Sequence, residues 1–355
     1  MKDGEFGKAY VPESHLFCGY EGYGRYRHDE LGFNNDEGIA QSTNTPRILV
    51  LGDSFTKAEQ ISRENNFCSR LQQQLSKAEQ KINVINLGMS GNAIAEYIHY
   101  APVYLKKFNP QYVIIQFTIE DFTNDATDSS KNIHMQIQNS QFQVVKSSPS
   151  RLKNWKNQLI AFSPLTTYFY LKFPREIWSN EGSWLHRFVS LSCGRGCANL
   201  TPSLSKSVLS YRAKDNISFL SPEKNVALIK WELQQLKNLY GEKLILLHTP
   251  RMPQIENHQI VLTEENPLID ELKKLCTELQ IPVADPSSQF IELYQTQHKF
   301  PRGFNNSRPG SGHFNESGHQ ILANVLFEYL NQIKPQTPNP KSQTNLKSQF
   351  SKFKT

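Results

Sequence analysis

A chain of 355 residues, 38% of them hydrophobic, is long enough to bury a full core as one large domain carrying an insertion. Its net charge of +6 is concentrated at the end: the segment Lys334 to Thr355 holds five Lys and no Asp, Glu or Arg, which leaves +1 over residues 1–333. A nearly neutral body excludes a broad phosphate-binding surface, and with it nucleic-acid partners, and no apolar run is long enough for a membrane span.

Residues 1–45, rich in Gly, Tyr, Asn and Asp with little periodicity, predict an irregular or short-stranded arm packed on the core of residues 46–333. The opening Met1 to Phe6 lacks the apolar stretch of a signal peptide, so the chain as written reads as cytoplasmic; an upstream start would make it an exported protein. Ile48 to Leu51 is a buried strand, and Phe67, Leu71, Leu75 and Ala78 recur on one helical face. Ile82 to Gly88 is a second strand, followed by a helix with Ile94, Ile98, Ala101 and Leu105 inward. Gln111 to Phe117 is a third, β-branched strand behind Pro110.

Residues 126–220 break the rhythm with Ser, Asn, Gln and scattered aromatics (Trp155, Phe162, Tyr168, Tyr170, Trp178, Trp184), which reads as a surface insertion or as a lid over a substrate cleft. Alternation resumes with a helix from Ser221-Pro222 to Gly241, carrying Val226, Ile229, Leu233 and Leu236. It continues with a strand over Lys243–His248, a helix from Asn266-Pro267 with Leu268, Leu272, Leu275 and Leu279, and a fifth strand over Ile281–Asp285. A last helix follows Asn315 with Ile321, Leu322, Val325, Leu326 and Tyr329 inward, and residues 334–355 form a solvated basic tail. Strands alternating with helices imply a parallel sheet covered on both faces.

Five cysteines make no disulfide framework in a chain of this length, and the close pair Cys193 and Cys197 reads as two thiols in a Gly-rich loop or as a local disulfide. Four ligands in a zinc-type spacing are missing, so no metal is expected. No phosphate loop or dinucleotide fingerprint follows the first strand, so no cofactor is expected.

The chemistry gathers at three places. In Leu51-Gly52-Asp53-Ser54-Phe55 a serine breaks a buried strand into a helix, at the carboxyl edge where open α/β sheets hold their ligands. Asn86-Leu87-Gly88-Met89-Ser90-Gly91-Asn92 is a glycine-bearing turn after the second strand, and Gly312-His313-Phe314-Asn315 places a histidine just before the last helix. In these three blocks the chain resembles the SGNH, or GDSL-type, hydrolase superfamily over roughly residues 29–125 and 243–330. An arm like His28-Asp29-Glu30-Leu31-Gly32-Phe33 precedes the first strand in many bacterial members, often those acting on decorated polysaccharides.

That resemblance implies a three-layer α/β/α sandwich with a central parallel sheet, flavodoxin-like. It further implies an ester or acyl hydrolase, such as a carbohydrate O-acyl esterase, or an acyltransferase, with a small-molecule or glycan acyl ester as substrate. Ser54 is then the nucleophile and His313 its base, with backbone donors at Ser54 and Gly91 for the oxyanion. The resemblance has two gaps. In the third block the family's Gly-Asn-Asp is here Ile119-Glu120-Asp121, which puts Glu120 where an Asn amide normally donates to the oxyanion. A carboxylate ~4 Å from that charge would oppose it by about 4 kcal/mol at an effective dielectric near 20, so Glu120→Asn is expected to raise activity. The acid usually found three or two residues before the histidine is also missing, since Gly310 and Ser311 stand there. A backbone carbonyl, Ser311 or the remote Asp285 are the stand-ins the sequence offers; His319 reads as a partly exposed packing residue, and His15 and His248 have no evident partners. The alternative reading is an inactive member of the fold that binds a glycan or a protein.

Overall fold

The computed structural model describes residues 2–4, 6–42, 45–123, 132–138, 141–147, 221–263 and 266–333. The aromatics named between 155 and 184, Cys193, Cys197 and the basic tail lie outside them. Two compact units are present, one of Met1–Phe122 with Ile229–Thr355 and the other of Thr123–Leu228.

In the first unit the arm forms two short antiparallel hairpins, β1 (Lys2–Gly4) with β2 (Gly7–Ala9), and β3 (His15–Phe17) with β4 (Arg25–Arg27). The order then runs β5 (Arg47–Leu51), α1 (Ser54–Lys57), α2 (Phe67–Lys77), β6 (Asn83–Asn86), α3 (Ile94–Phe108), β7 (Tyr112–Phe117) and α4 (Ile119–Thr123). In the second unit β8 (Ile133–Gln138) and β9 (Gln141–Lys146) pair as an antiparallel hairpin, with Ile133 opposite Lys146. The chain continues through α5 (Pro222–Tyr240), β10 (Leu244–His248), the small hairpin β11 (Gln254–Glu256) and β12 (Gln259–Val261), α6 (Pro267–Glu278), β13 (Val283–Ala284), α7 (Ser287–Gln297) and α8 (Glu316–Gln332).

Five of these strands make one parallel sheet in the order β13-β10-β7-β5-β6. The chain starts at β5, steps outward to β6, then returns past β5 to β7, so the connections diverge between β5 and β7. That divergence opens a crevice at the carboxyl ends of the two strands. β5 and β10 are buried along their whole length, as strands covered on both faces must be.

One face of the sheet packs Ile48, Val50, Ile114, Ile245 and Leu247 against Phe67, Leu71 and Leu75 of α2 and Leu322, Leu326 and Leu330 of α8. On the helices these positions recur every three or four residues, the period of one buried face. The opposite face is covered by α3 and α5, joined where the Tyr240 hydroxyl donates to the Tyr97 carbonyl at 2.7 Å. The inward face of α3 is Ile94, Tyr97, Ala101, Tyr104 and Phe108, not the one through Ile98 and Leu105. Both stripes have helical spacing, and the aromatic one is buried because it removes more apolar area from water. Leu326 is fully buried in the layer between α2 and α8. Leu326→Ala is expected to lower stability by about 2–5 kcal/mol, read from urea unfolding.

Candidate active site

Ser54 is positioned by the turn that ends β5. The Asp53 side chain caps α1 by accepting the Phe55 N–H at 2.9 Å, which starts the helix with the serine in its first turn. Fully buried Gln116 of β7 ties this turn to the next strand: its Oε1 accepts from the Asp53 N–H at 3.2 Å and the Thr56 hydroxyl at 3.0 Å, and its Nε2 donates to Thr249 Oγ1 at 2.8 Å. A Cβ at Gly52 would stand 2.0 Å from Thr56 Oγ1, so only glycine lets the strand approach the helix this closely.

The arm reaches the same turn from the other side. Asp29 accepts from the Leu31 and Phe33 N–H groups and from Asn35 Nδ2. Asn35 exchanges two hydrogen bonds with the Asn86 backbone, and the Asn86 amide donates to the Thr56 carbonyl at 2.8 Å. All three of these side chains are buried, so the first and second blocks are held together by a satisfied polar network running from the arm.

His313 comes to Ser54 from the segment before α8. The Ser54 hydroxyl lies 2.8 Å from His313 Nε2. On the other side of the ring His313 Nδ1 is 2.6 Å from Glu21 Oε2, and the His313 backbone N–H donates to Glu21 Oε1 at 2.8 Å. One carboxylate thus holds both the ring and the main chain of the histidine, which fixes the tautomer with its lone pair toward the serine. Burial alone would raise the Glu21 carboxyl, but the hydrogen bonds from His313 and the nearby charges of His313 and Arg302 outweigh it, and the group is held below its ordinary value. Gly312 leaves room for this contact, since a Cβ there would stand 2.1 Å from Glu21 Oε1.

The stand-ins considered from sequence are corrected accordingly. Asp285 pairs with buried His248 at 3.1 Å and with Lys273 at 2.7 Å, and these contacts lower its carboxyl against the opposing effect of burial. Ser311 is exposed. Glu21 comes from the loop between β3 and β4, almost 300 residues before the histidine. A carboxylate in an irregular Gly- and Tyr-rich segment gave no periodic signal, and the only hint was the missing acid beside His313.

Arg302 lies against the site, its guanidinium carbon 4.7 Å from the Phe55 ring centre and 5.0 Å from that of Phe314. Burial raises the Asp53 carboxyl, partly countered by the Phe55 N–H and by the charges of His313 and Arg302. His319 is fully buried rather than partly exposed. It stacks on Phe67 and accepts that residue's N–H at 3.2 Å; burial and the charges of Arg70 and His313 hold it down to about 3, so it is a neutral packing acceptor. His15 lies in β3.

Gly91 stands in the turn after β6 at a φ of +80°. A Cβ there would meet open space, so the left-handed backbone rather than crowding calls for glycine. Ser54 opens α1, so its N–H is one of the donors a helix start leaves without an intrahelical partner. Glu120, in the first turn of α4, forms a short ion pair with Arg251, which lies three residues beyond β10. Asp121 accepts from the Thr118 N–H at 2.7 Å and from its hydroxyl, closing the turn after β7. Among the described residues no group of three or more His, Cys, Asp or Glu could hold a metal ion, and no helix is long and apolar enough to cross a membrane.

The α/β/α sandwich thus brings a serine, a histidine and an acid together at the carboxyl edge of its sheet. The chain belongs to the GDSL-like lipase/acylhydrolase family, which it matches over residues 48–326, and it is a hydrolase acting on ester bonds. No curated protein matches it. Among solved structures it is similar to an acetyl xylan esterase (13% identity, 80% of this chain and 99% of that one, TM-score 0.40). It is also similar to a lipase/acylhydrolase from Enterococcus faecalis (14%, 82% and 98%, TM-score 0.38). A catalytic mutant of an acetylxylan esterase from Geobacillus stearothermophilus matches at 16% identity, 80% and 93% coverage and TM-score 0.38.

Glu21→Gln keeps the size of the side chain and removes its charge. It is expected to lower kcat by about 10²–10⁴ with little change in KM, with Glu21→Asp intermediate, in steady-state ester hydrolysis. Because the folded carboxyl is lowered, the stability it contributes is complete above its ordinary value of 4.5 and is lost as pH falls through the lower folded value. The stability gap between the parent and Glu21→Gln should therefore close in acid, measured by unfolding across that range.

Proposed function

We propose that the protein hydrolyses acyl esters, carbohydrate O-acyl esters among them, through a Ser54–His313–Glu21 triad with oxyanion donors from the Ser54 and Gly91 backbone. The observation that carries this reading is the continuous hydrogen-bonded chain from Ser54 Oγ through both nitrogens of His313 to the Glu21 carboxylate.

In the first half-reaction Ser54 Oγ attacks the acyl carbon while its proton passes to His313 Nε2. The resulting imidazolium is stabilised by the Glu21 carboxylate, which stays ionised throughout. The carbonyl oxygen becomes an oxyanion facing the two backbone donors. Collapse breaks the bond to the alcohol, which leaves with the proton from His313. Water then attacks the Ser54 ester by the same route: His313 takes a proton from it and returns one to Ser54, releasing the acyl group as a carboxylic acid.

Glu120 enters differently from the Asn amide of its relatives. Its ion pair with Arg251 places a positive group beside the carboxylate, which offsets its repulsion of a developing oxyanion. Glu120→Asn removes that carboxylate, supplies an amide donor and releases the guanidinium, three changes that all favour negative charge in the transition state. The variant is expected to raise kcat severalfold in the same ester assay, and a slower variant would give Glu120 a role in positioning Arg251.

A fluorophosphonate probe tests the nucleophile directly. Labelling of the parent should map to Ser54 by mass spectrometry, vanish in Ser54→Ala and slow by about 10² or more in His313→Ala. An unlabelled parent at pH 7 to 9 would overturn the reading.

A further inference from the structure

The loop that delivers Glu21 inward also presents aromatic rings outward. Between β3 and β4 the chain runs Cys18-Gly-Tyr-Glu-Gly-Tyr-Gly24 and is closed at its base by the Cys18 N–H donating to the Gly24 carbonyl at 2.9 Å. Asn306 clamps it to the body of the unit, accepting the Gly22 N–H at 2.8 Å and donating to the Gly19 and Gly22 carbonyls. On this fixed loop and the last residue of β3, Tyr20, Tyr23 and Phe17 are 69%, 68% and 76% exposed. Single exposed apolar side chains need no explanation, but three aromatic rings within seven residues, on both sides of a catalytic acid, do. The Tyr20 hydroxyl donates at 2.7 Å to Glu59, a residue just beyond the helix that Ser54 opens, so its ring is held as an exposed plane beside the nucleophile turn.

We infer that this loop is a stacking platform for the sugar rings of a glycan whose acyl ester is presented to Ser54. The inference rests on the esterase reading above and names its substrate class. Flat, exposed rings match the C–H faces of pyranoses, and tyrosine hydroxyls suit sugar hydroxyls. The surroundings are polar and carry carboxylates, Glu21 on the same loop and Glu59 on the Tyr20 hydroxyl, with Arg25 opposite Phe17 in the ladder; a lipid surface would call for a larger apolar face bordered by Lys and Arg. A loop backbone held by Asn306, with the Tyr20 ring held by Glu59, loses less entropy on binding, which is how a small contact area becomes useful affinity.

The test compares kcat/KM on partially acetylated xylo- and manno-oligosaccharides with that on the acetylated monosaccharides, for the parent and for Phe17→Ala/Tyr23→Ala. The parent should prefer at least one oligosaccharide series, and the double variant should lose about tenfold of that preference, mainly through KM. A ratio within one variant cancels any loss of folded protein. A parent without preference for oligosaccharides, or a double variant that keeps the preference, would overturn the platform. Binding of the unacetylated oligosaccharides, followed by calorimetry, separates this inference from the esterase reading. Binding that weakens in the variant supports the platform even if the parent cleaves no ester. Binding to phosphatidylcholine vesicles with none to the sugars overturns it.

Discussion

The carboxylate of Glu21 on the imidazole of His313 is the contact on which the site depends. A serine hydroxyl is a poor nucleophile unless a base removes its proton, and an imidazole is a reliable base only when its tautomer and orientation are fixed. The carboxylate arrives from a segment of chain far from the histidine, through two hydrogen bonds to one residue. The arm is therefore as much a part of the candidate site as the sheet, and removing it would leave His313 without its carboxylate partner.

The rest of the arm is built to make that delivery dependable. Asp29, Asn35 and Asn86 form a buried chain of hydrogen bonds that ends on Thr56, two residues from Ser54, while Asn306 fixes the loop that carries Glu21. Such a network costs desolvation and is favourable only when its groups are satisfied, which makes the arm's position on the core specific rather than approximate. Lys57 adds a further tie: buried at the end of α1, it donates to the Tyr10 hydroxyl at 2.5 Å and pairs with Glu59. Glu59 in turn accepts from Tyr20, so the helix that Ser54 opens, the arm and the exposed aromatic loop share one set of polar contacts.

Charged groups cluster around this contact. Arg302, against the rings of Phe55 and Phe314, stabilises the anionic forms of Glu21 and Asp53, both close to His313. Across the crevice the carboxylate at the third block is matched by Arg251. A residue that looks hostile to an oxyanion in isolation is thus half of an ion pair, and its field at the reacting centre is that of the pair.

The alternation of apolar strands and amphipathic helices was enough to specify a parallel sheet covered on both sides, because burial on two faces writes itself as runs such as Ile48 to Leu51 and Leu244 to Leu247. Ser54 and His313 stood out through the resemblance of their blocks to those of a hydrolase family, one at the end of a strand and the other just before a helix. The buried side of α3 was not legible: two stripes had helical spacing, and which one turned inward depended on the facing layer. The acid was not legible either. No local pattern marks a glutamate in an irregular loop as the partner of a histidine almost 300 residues away, and only the folded arm brings the two within hydrogen-bonding distance. Local periodicity carries the elements because it is set by neighbours in the chain, whereas a charge pair closed across the whole molecule is set by packing alone.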